Sequence, residues 1–251
     1  MEPRHGFLLE RHERVSSTQD VLRRRHEAGE VITDVVVRAR EQTAGRGRRA
    51  GTWSSSVGGS YQSVGLAPER LGGGSSPALL PLALGVGVAE ALSEAGARTM
   101  IKWPNDLVLG GRKLGGIIVE VSAGVPIAGL GVNVENVVPD GAAALRGWDV
   151  EVVSELVLAG VRRALETLVP DPVALVERFA LVDWLKGKTV RLTGPDRAGV
   201  GCGIDVDGCL LLRGEMGDVT RHGSGHVVNI DGASWSSATL PSLDGGPKTS
   251  P

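Results

Sequence analysis

The chain has 251 residues, of which 41% are hydrophobic, and its formal net charge is −2 at pH 7. This length is enough for a full hydrophobic core and predicts one large domain, alone or with a small appendage. The near-neutral charge argues against a general nucleic-acid binder, so any cationic segment is a local feature. The sequence has no apolar run of transmembrane length and starts without the apolar stretch of a signal peptide, so we expect a cytoplasmic protein.

Helix and strand patterns alternate along the first three-quarters of the chain. Ser17 is typical of a helix N-cap, and β-branched or apolar runs bounded by Gly, Pro or Asn are typical of strands. Gly85 and Gly87 lie inside a predicted helix and favour its close packing against a sheet. In chain order the patterns predict a helix at 17–28, strands at 34–39 and 61–66, an exposed loop at 68–77, a helix at 77–95, strands at 98–103, 107–109, 114–121 and 127–134, and helices at 151–168 and 172–185. Too few residues separate the last four strands for helical crossovers, so we expect antiparallel pairing.

The pattern changes at about residue 187. From there short β-like runs alternate with Gly and Asp turns, and a segment of about 45 residues suffices for a small β-barrel and little else. The final residues are small and polar, which is typical of a disordered tail. We therefore predict a main domain at 1–186, a small β-domain at 187–231 and a disordered tail at 232–251.

A glycine-spaced arginine loop, QTAGRGRRAGTW, occupies residues 42–53. Its glycines let the backbone approach a polyanion closely, while Arg46, Arg48 and Arg49 supply positive charge. No Gly-Lys-Ser/Thr and no helix with a spaced acidic partner follow, so the loop is neither a Walker loop nor a dinucleotide fingerprint. Side chains and loop amides would therefore hold a phosphate. Taken alone, the loop is also compatible with a solvated basic turn or an RNA-binding RGG-type segment.

The second motif is IKWPNDLVLGGRKLGGIIVE at 101–120. Pro104 fixes a turn between two strands, where Asn105 and Asp106 offer polar groups. Lys113 precedes an apolar strand, and a lysine in that position is either a snorkelling surface residue or a buried functional ammonium. Together the two motifs place several cations and a carboxylate on loops. This combination predicts a site for a phosphate-bearing small molecule.

These motifs resemble those of biotin protein ligases. The resemblance runs in order from about residue 15 to residue 230 and is carried by 16–19, 42–53, 102–106, 112–116 and 129–133. It implies an α+β fold, with a central mixed β-sheet flanked by helices, as in class II synthetases and biotin ligases, and a small SH3-like C-terminal β-barrel. The main domain would be catalytic and would bind biotin and ATP. The implied reaction is ATP-dependent ligation of biotin to a carrier-protein lysine through biotinyl-5′-AMP, with release of pyrophosphate and AMP.

The resemblance also implies a role for each motif residue. Lys113, Arg48 and Asp106 would be catalytic. Lys113 would contact the biotin carboxylate and the reacting phosphate, and Asp106 would guide the incoming lysine amine. The implied biotin contacts are Ser17, Thr18, Gln19, Gln42, Gly45, Arg46, Gly47, Arg48, Tyr61, Lys113 and Gly116. The implied nucleotide contacts are Arg46, Arg48, Arg49, Trp53, Asn105, Lys113 and Asn133. Trp53 would stack on adenine.

Cofactors and partners follow from the same resemblance. The reaction would need ATP, biotin and Mg²⁺, although the sequence shows no dedicated metal cage. The protein partner would be a biotin carboxyl carrier protein or domain of a biotin-dependent carboxylase. Only about fourteen residues precede the ligase motifs, too few for the DNA-binding domain of some family members, so we expect neither a DNA partner nor a repressor function. We expect no membrane partner, and a weak homodimer through exposed strands.

Two departures from the family pattern bear on this interpretation. Ala50 and Gly51 replace a Gly-Arg pair, which removes a cation expected against the nucleotide, and Ser60 and Gln62 replace bulkier apolar residues beside Tyr61. Three alternatives remain open. A lipoate or octanoate transferase shares the architecture but would not combine GRGRR with WPND. A non-catalytic biotin or nucleotide binder is the second, and an RNA-binding module, disfavoured by the charge, is the third.

Overall fold

The computed structural model describes residues 1–71, 79–193, 197–231 and 233–234. The elements, in chain order, are β1 (Glu2–Arg4), β2 (Phe7–Val15), α1 (Thr18–Glu27), β3 (Val35–Gln42), a 3₁₀ turn (Arg48–Ala50), β4 (Ser60–Gly65), a second 3₁₀ turn (Pro68–Leu71), α2 (Leu79–Glu94), β5 (Thr99–Lys102), β6 (Asp106–Leu109), β7 (Arg112–Ser122), β8 (Val125–Val132), α3 (Val150–Thr167), α4 (Pro172–Val182), β9 (Thr189–Thr193), β10 (Arg197–Ile204), β11 (Leu210–Arg213), β12 (Val219–His222), β13 (His226–Ile230) and β14 (Ala233–Ser234).

The large sheet has eight strands in the order β1-β2-β3-β4-β8-β7-β6-β5. Strands β2 and β3 run parallel and are connected through α1, whereas the other neighbouring pairs are antiparallel. The sheet is therefore mixed, as expected. The antiparallel pairing predicted for the strands between residues 98 and 134 is confirmed, because β5, β6, β7 and β8 follow one another through tight turns.

Helices cover both faces of this sheet. On one face, Leu22 of α1 packs with Ile32, Val35, Val37 and Ile127. On the other face, α2 and α3 pack in the main hydrophobic core.

The two glycines of α2 serve different contacts. A Cβ at Gly85 would lie 3.2 Å from Ile101 of the sheet, as predicted. A Cβ at Gly87 would lie 2.3 Å from the carbonyl oxygen of Gly160, so this glycine admits α3 instead of the sheet.

The small C-terminal sheet has six strands in the order β12-β11-β10-β9-β13-β14, paired antiparallel. Its apolar side chains, including Val190 and Leu210, join the same hydrophobic core as α2. The indole of Trp103 donates a hydrogen bond to the carbonyl of Gly208 at 3.0 Å. A Cβ at Gly208 would lie 2.9 Å from Leu79, so the glycine lets the small sheet sit directly on α2. This docking brings β13 to the end of the large sheet.

Several elements differ from the prediction. The structure adds β1 and β2, which the sequence pattern did not indicate: β2 reads FLLERHERV, and its charged side chains form ion pairs such as Arg11 with Glu151. Helix α4 ends at Val182, earlier than predicted, because Asp183 turns the chain and accepts a hydrogen bond from the backbone amide of Leu185.

Two predicted segments fall largely outside the described residues. Of the predicted loop at 68–77, the described part is the 3₁₀ turn at Pro68–Leu71. Of the predicted tail at 232–251, the described part is Ala233–Ser234, which pairs with β13. No helix within the described ranges is long and apolar enough to cross a membrane.

Candidate active site

A cavity of about 250 Å³ lies between the start of α1, the Arg/Gly loop at 42–53, the glycine-rich faces of β7 and β8, and β13. It brings together thirteen of the residues that the sequence singled out: Ser17, Thr18, Gln19, Gln42, Arg46, Gly47, Arg48, Arg49, Trp53, Asn105, Asp106, Lys113 and Gly116. They come from distant parts of the chain. The cavity has a polar, uncharged end beneath α1 and a cationic end at the β5–β6 turn.

The polar end is organised around Thr18. Ser17 caps α1 through its Oγ, which accepts from the amide of Gln19. The Gln42 side-chain oxygen accepts from the backbone amide of Thr18 at 2.9 Å and from its hydroxyl at 3.1 Å. The Thr18 hydroxyl also lies 2.8 Å from that of Ser63 on β4. These neutral donors and acceptors suit a polar, uncharged group.

Three glycines form the floor of the cavity. A Cβ at Gly129 would lie 2.1 Å from the side-chain oxygen of Gln19, and one at Gly131 would lie 2.7 Å from Nε1 of Trp53. At Gly116 the nearest atoms, on Asp106, Lys113 and Trp53, would all lie 3.8 Å away. The first two glycines therefore let Gln19 and Trp53 lie directly on the sheet, and the third leaves open space between the charged groups.

Asp106 lies between two lysines at the cationic end. Its Oδ2 accepts from Nζ of Lys102 at 3.1 Å, and its Oδ1 lies 2.8 Å from Nζ of Lys113. Burial by itself would raise the pKa of Asp106, but the two ammonium groups outweigh it and lower the pKa to about 2. Burial lowers the pKa of Lys102 more than Asp106 raises it. The triad holds one anion against two cations, so it has a net positive charge.

The Arg/Gly loop closes on itself and adds arginines above this triad. Arg46 pairs with Thr52 in a β-bridge, and its guanidinium binds Asp20 of α1 at 2.9 Å and Glu120 of β7 at 2.7 Å. Arg48 donates to the side-chain oxygen of Asn105 at 3.0 Å. Burial, followed by the adjacent Arg49, lowers the pKa of Arg48 from its usual value. Arg46 is therefore the anchor of the loop, while Arg48 and Arg49 face the cavity.

Trp53 forms one wall between the two ends. Its ring lies over Gly131, with Nζ of Lys113 5.4 Å from the ring centroid. Its indole Nε1 is buried and has no hydrogen-bond partner among the described residues. Buried indole N–H groups usually have a partner, so this donor is suited to a bound molecule.

Three predicted site residues lie outside the lining of this cavity. Tyr61 is buried, and its hydroxyl donates to the carbonyl of Ser56 at 2.8 Å. Asn133 donates to the carbonyl of Ala143 at 3.1 Å, which fixes a segment that pairs with Lys113. Gly45 lines a second cavity, of about 510 Å³, on the other side of the Arg/Gly loop.

Local contacts explain the residue types at Gly45 and at the two positions beside Tyr61. A Cβ at Gly45 would lie 2.4 Å from the carbonyl oxygen of Trp53, so a larger residue would keep the loop from closing. Ser60 and Gln62, the residues that depart from the family pattern beside Tyr61, bond Ser154 of α3 at 2.8 and 3.0 Å. Their side chains therefore face α3, because Ser63, the next residue along β4, faces α1.

Among the cavity-lining residues to which the sequence assigned no role are Lys102, Ser63 and His226. Lys102 lies in the second motif, but its burial against Asp106 depends on the turn. Ser63 lies on β4 opposite Thr18, and alternation along that strand is the signal that could have placed it there. His226 reaches the cavity from β13 only because the small sheet docks on α2.

The comparisons with known proteins agree with this geometry. Residues 12–135 match the model of the Biotin/lipoate A/B protein ligase family. This segment, about half of the chain, is therefore similar to that family, and within the family the similarity is to biotin protein ligases. The structure of the biotin protein ligase from Aquifex aeolicus in complex with biotin and ATP superposes with a TM-score of 0.79 and 28% identity, and the match covers 90% of this chain and 99% of that chain.

Two curated relatives give the same result. The biotin–[acetyl-CoA-carboxylase] ligase of Paracoccus denitrificans is 39% identical over 115 residues, which cover 43% of this chain and 47% of that protein. The corresponding ligase of Mycobacterium tuberculosis is 37% identical over 138 residues, which cover 51% of this chain and 52% of that protein. The chain thus matches about half the length of these relatives.

Proposed function

We propose that this protein is a biotin–[biotin carboxyl-carrier protein] ligase, which forms biotinyl-5′-AMP from biotin and ATP and transfers the biotinyl group to a carrier lysine. The proposal rests on one observation, that the same cavity has a neutral polar end and a cationic end. Biotin has a neutral ureido head and an anionic carboxylate, and ATP is a polyanion. One cavity with these two ends fits the head at one end and the two reacting anions at the other.

Each end of the cavity has residues suited to the ligand group that it would hold. The ureido group would lie among Ser17, Thr18, Gln19 and Ser63, with Gln42 holding Thr18 in position. The carboxylate and the α-phosphate would meet at Lys113. Bringing two anions together requires positive charge that is fixed in advance, and the pairing of Lys113 with Asp106 fixes its position.

The nucleotide would lie against Trp53, Arg48, Arg49 and Asn105. The unpartnered indole N–H of Trp53 supports this assignment. Arg46 would act indirectly, since its two ion pairs hold the loop against α1 and β7. Tyr61, Gly45 and Asn133 would act in the same indirect way, through the segments that they hold in place.

The chemistry of the polar end favours biotin over lipoate. The dithiolane ring of lipoate has no hydrogen-bonding groups comparable with those of a ureido ring. Placing it against Thr18, Gln19 and Ser63 would replace none of the further hydrogen bonds that a ureido ring could make there, and a lost hydrogen bond at a buried polar group costs about 1 to 3 kcal/mol. We therefore expect lipoate to be a poor substrate.

We propose that Mg²⁺ enters as part of the ATP complex. Within the described part of the chain, no cluster of three His, Cys, Asp or Glu side chains could hold a metal. Asp106, the carboxylate that lines the cavity, already binds two lysines. The donor set of the protein therefore does not fit a resident metal, and no catalytic step is assigned to one.

The acceptor would be a biotin carboxyl carrier protein or domain. The test is incubation of the protein with biotin, MgATP and a recombinant carrier domain, followed by mass spectrometry of the carrier. We expect one added biotinyl group, dependent on ATP and absent when the target lysine of the carrier is replaced by arginine. Transfer of lipoate at a rate equal to that of biotin, or no ATP-dependent transfer, would contradict the proposal.

A further inference from the structure

His226 is the residue through which the small sheet lines the main cavity. It lies on β13, and its side chain is partly buried. The carbonyl oxygen of His226 accepts from the Thr193 hydroxyl at 3.4 Å, but no described residue forms a hydrogen bond with the imidazole itself. The imidazole of His226 is therefore not used to hold the small sheet together, unlike that of His222, which bonds Thr220 at 2.8 Å.

Transfer of the biotinyl group needs a proton acceptor. A lysine ammonium has an ordinary pKa of about 10.4 and must lose two protons to become an amide nitrogen. The cations that line the cavity disfavour an incoming ammonium, so its first proton must pass to a group in the cavity before the nitrogen can attack. The second proton leaves for solvent once the nitrogen has bonded to the acyl carbon.

Asp106 is poorly suited to this task. Both of its carboxylate oxygens are bound to lysines, and the lysine charges hold its pKa at about 2. A carboxylate that is so weakly basic and so fully paired is a poor acceptor. Among the described residues that line the cavity, His226 is the other group with an available basic atom, since the remaining titratable side chains there are lysines and arginines.

We propose that His226 is the proton acceptor for carrier lysine in the transfer step, an inference that rests on the function proposed above. The lysine nitrogen forms a bond to the acyl carbon of biotinyl-AMP. The bond between that carbon and the phosphate oxygen breaks, and AMP leaves with the electron pair. Before the attack, the lysine ammonium gives one proton to the neutral imidazole, which later releases it to solvent, and the second proton leaves the nitrogen for solvent as the amide forms.

The charged groups around the ring keep it in the required form. Burial lowers the pKa of His226 below its ordinary value of 6.5, Lys102 lowers it further, Asp106 raises it, and Arg49 and Arg48 lower it. The imidazole is therefore neutral at pH 7 and can accept a proton. Transfer should slow once the pH falls through this lowered pKa, below 6.5, because the imidazole then becomes protonated.

The test compares His226→Gln with the wild type in the two half-reactions. Glutamine keeps polar atoms at this position but cannot accept the proton. Enzyme-bound biotinyl-AMP is formed first and is then mixed either with a recombinant biotin carboxyl carrier domain or with hydroxylamine, which is uncharged at pH 7. We expect normal biotin-dependent pyrophosphate exchange and normal hydroxylamine trapping, but transfer to the carrier lysine about 100-fold slower at pH 7.

The defect should shrink as the pH rises towards the pKa of free lysine, about 10.4, because the amine then arrives deprotonated. His222→Gln is the matched control, since it removes a histidine of the same sheet whose ring lies outside the cavity lining, and it should transfer normally. Normal transfer by His226→Gln, or equal loss with both nucleophiles, would overturn the inference alone. If the wild type forms no biotinyl-AMP, the proposed function fails and the inference fails with it.

Discussion

Asp106 is the counter-ion of the buried Lys102 and the half-buried Lys113, and this arrangement changes the role that resemblance alone would give it. Resemblance assigns Asp106 to guiding the carrier lysine. The structure pairs it with Lys102 and Lys113 at 3.1 and 2.8 Å. A carboxylate in this place positions Lys113 for adenylation and offsets the repulsion between the two lysine ammonium groups. We therefore expect loss of Asp106 to affect both half-reactions.

Asp106→Asn should lower both the rate of adenylation and the stability. Removing one partner of a buried ion pair costs about 3 to 5 kcal/mol of unfolding free energy. The lowered pKa of Asp106, about 2 against an ordinary 3.8, stabilises the fold above pH 3.8, and this contribution is lost as the pH falls through 2. Urea unfolding of the mutant and the wild type should therefore differ at pH 7 and converge in acid. Asp140→Asn, at an exposed position, is the control, and equal stability of Asp106→Asn at pH 7 would contradict this account.

Lys113 should matter mainly for adenylation. If its ammonium stabilises the converging carboxylate and phosphate, Lys113→Ala should slow biotin-dependent pyrophosphate exchange by about 100-fold or more, the effect of removing one preorganised charge. Biotin affinity should fall less. Arg112→Ala removes the adjacent exposed cation of the same strand and should leave the rate unchanged. Comparable rates for Lys113→Ala and wild type would remove Lys113 from the mechanism.

At the scale of elements, the glycine-rich faces of β7 and β8 define the room available to ligands. The three floor glycines occupy strand positions where a side chain would normally point into the site. At Gly131 the space is filled by Trp53, whereas at Gly116 it is open. Substitution at these two positions should therefore have different consequences.

Gly116→Ala should fold normally, because its methyl group would lie 3.8 Å from the nearest atoms, but it should weaken biotin and ATP binding by occupying the cavity. Gly131→Ala should displace Trp53, because its Cβ would lie 2.7 Å from Nε1. Calorimetric titration with biotin measures the loss of binding in Gly116→Ala. Tryptophan emission of the ligand-free proteins measures the displacement of Trp53 in Gly131→Ala. Unchanged ligand binding by Gly116→Ala would show that the open space lies outside the ligand site.

The Arg/Gly loop should retain biotinyl-AMP less tightly than a loop with the full arginine set. Gly51 lines the cavity at φ −69° and ψ 158°, a conformation that arginine also adopts. One added charge-assisted hydrogen bond is worth about 1.5 to 3 kcal/mol, so Gly51→Arg should slow release of biotinyl-AMP by roughly 10- to 150-fold. Single-turnover dissociation measures this rate, with Arg48→Gly expected to release faster. An unchanged rate in Gly51→Arg would mean that another residue already supplies the contact.

The sequence predicted most elements and missed those whose signal is not local. The helix capped by Ser17 and the four antiparallel strands have clear patterns. Strand β2 was missed because its charged side chains obscure the alternation, and their ion pairs are visible only in the folded chain. The contact made by Gly87 could not be predicted either, since only the structure shows that this glycine packs against α3.

At the scale of the whole molecule, one continuous core joins the two sheets and builds the site. The Trp103 hydrogen bond to Gly208 and the contact of Gly208 with Leu79 dock the small sheet on α2. This docking places His226 beside the cationic end of the cavity, a placement that no local pattern could predict. The two motifs and the segment 16–19 predicted most of the remaining lining, because the structure brings them together at one end of the large sheet.

The central claim is that this cavity activates biotin with ATP. Biotin-dependent exchange of labelled pyrophosphate into ATP tests it most directly, because it requires the adenylation step but neither a carrier nor the transfer step. The account predicts exchange with biotin and MgATP, little exchange with lipoate, and a loss of about 100-fold in Lys113→Ala. Failure of biotin to support exchange in the folded wild-type protein would contradict the account.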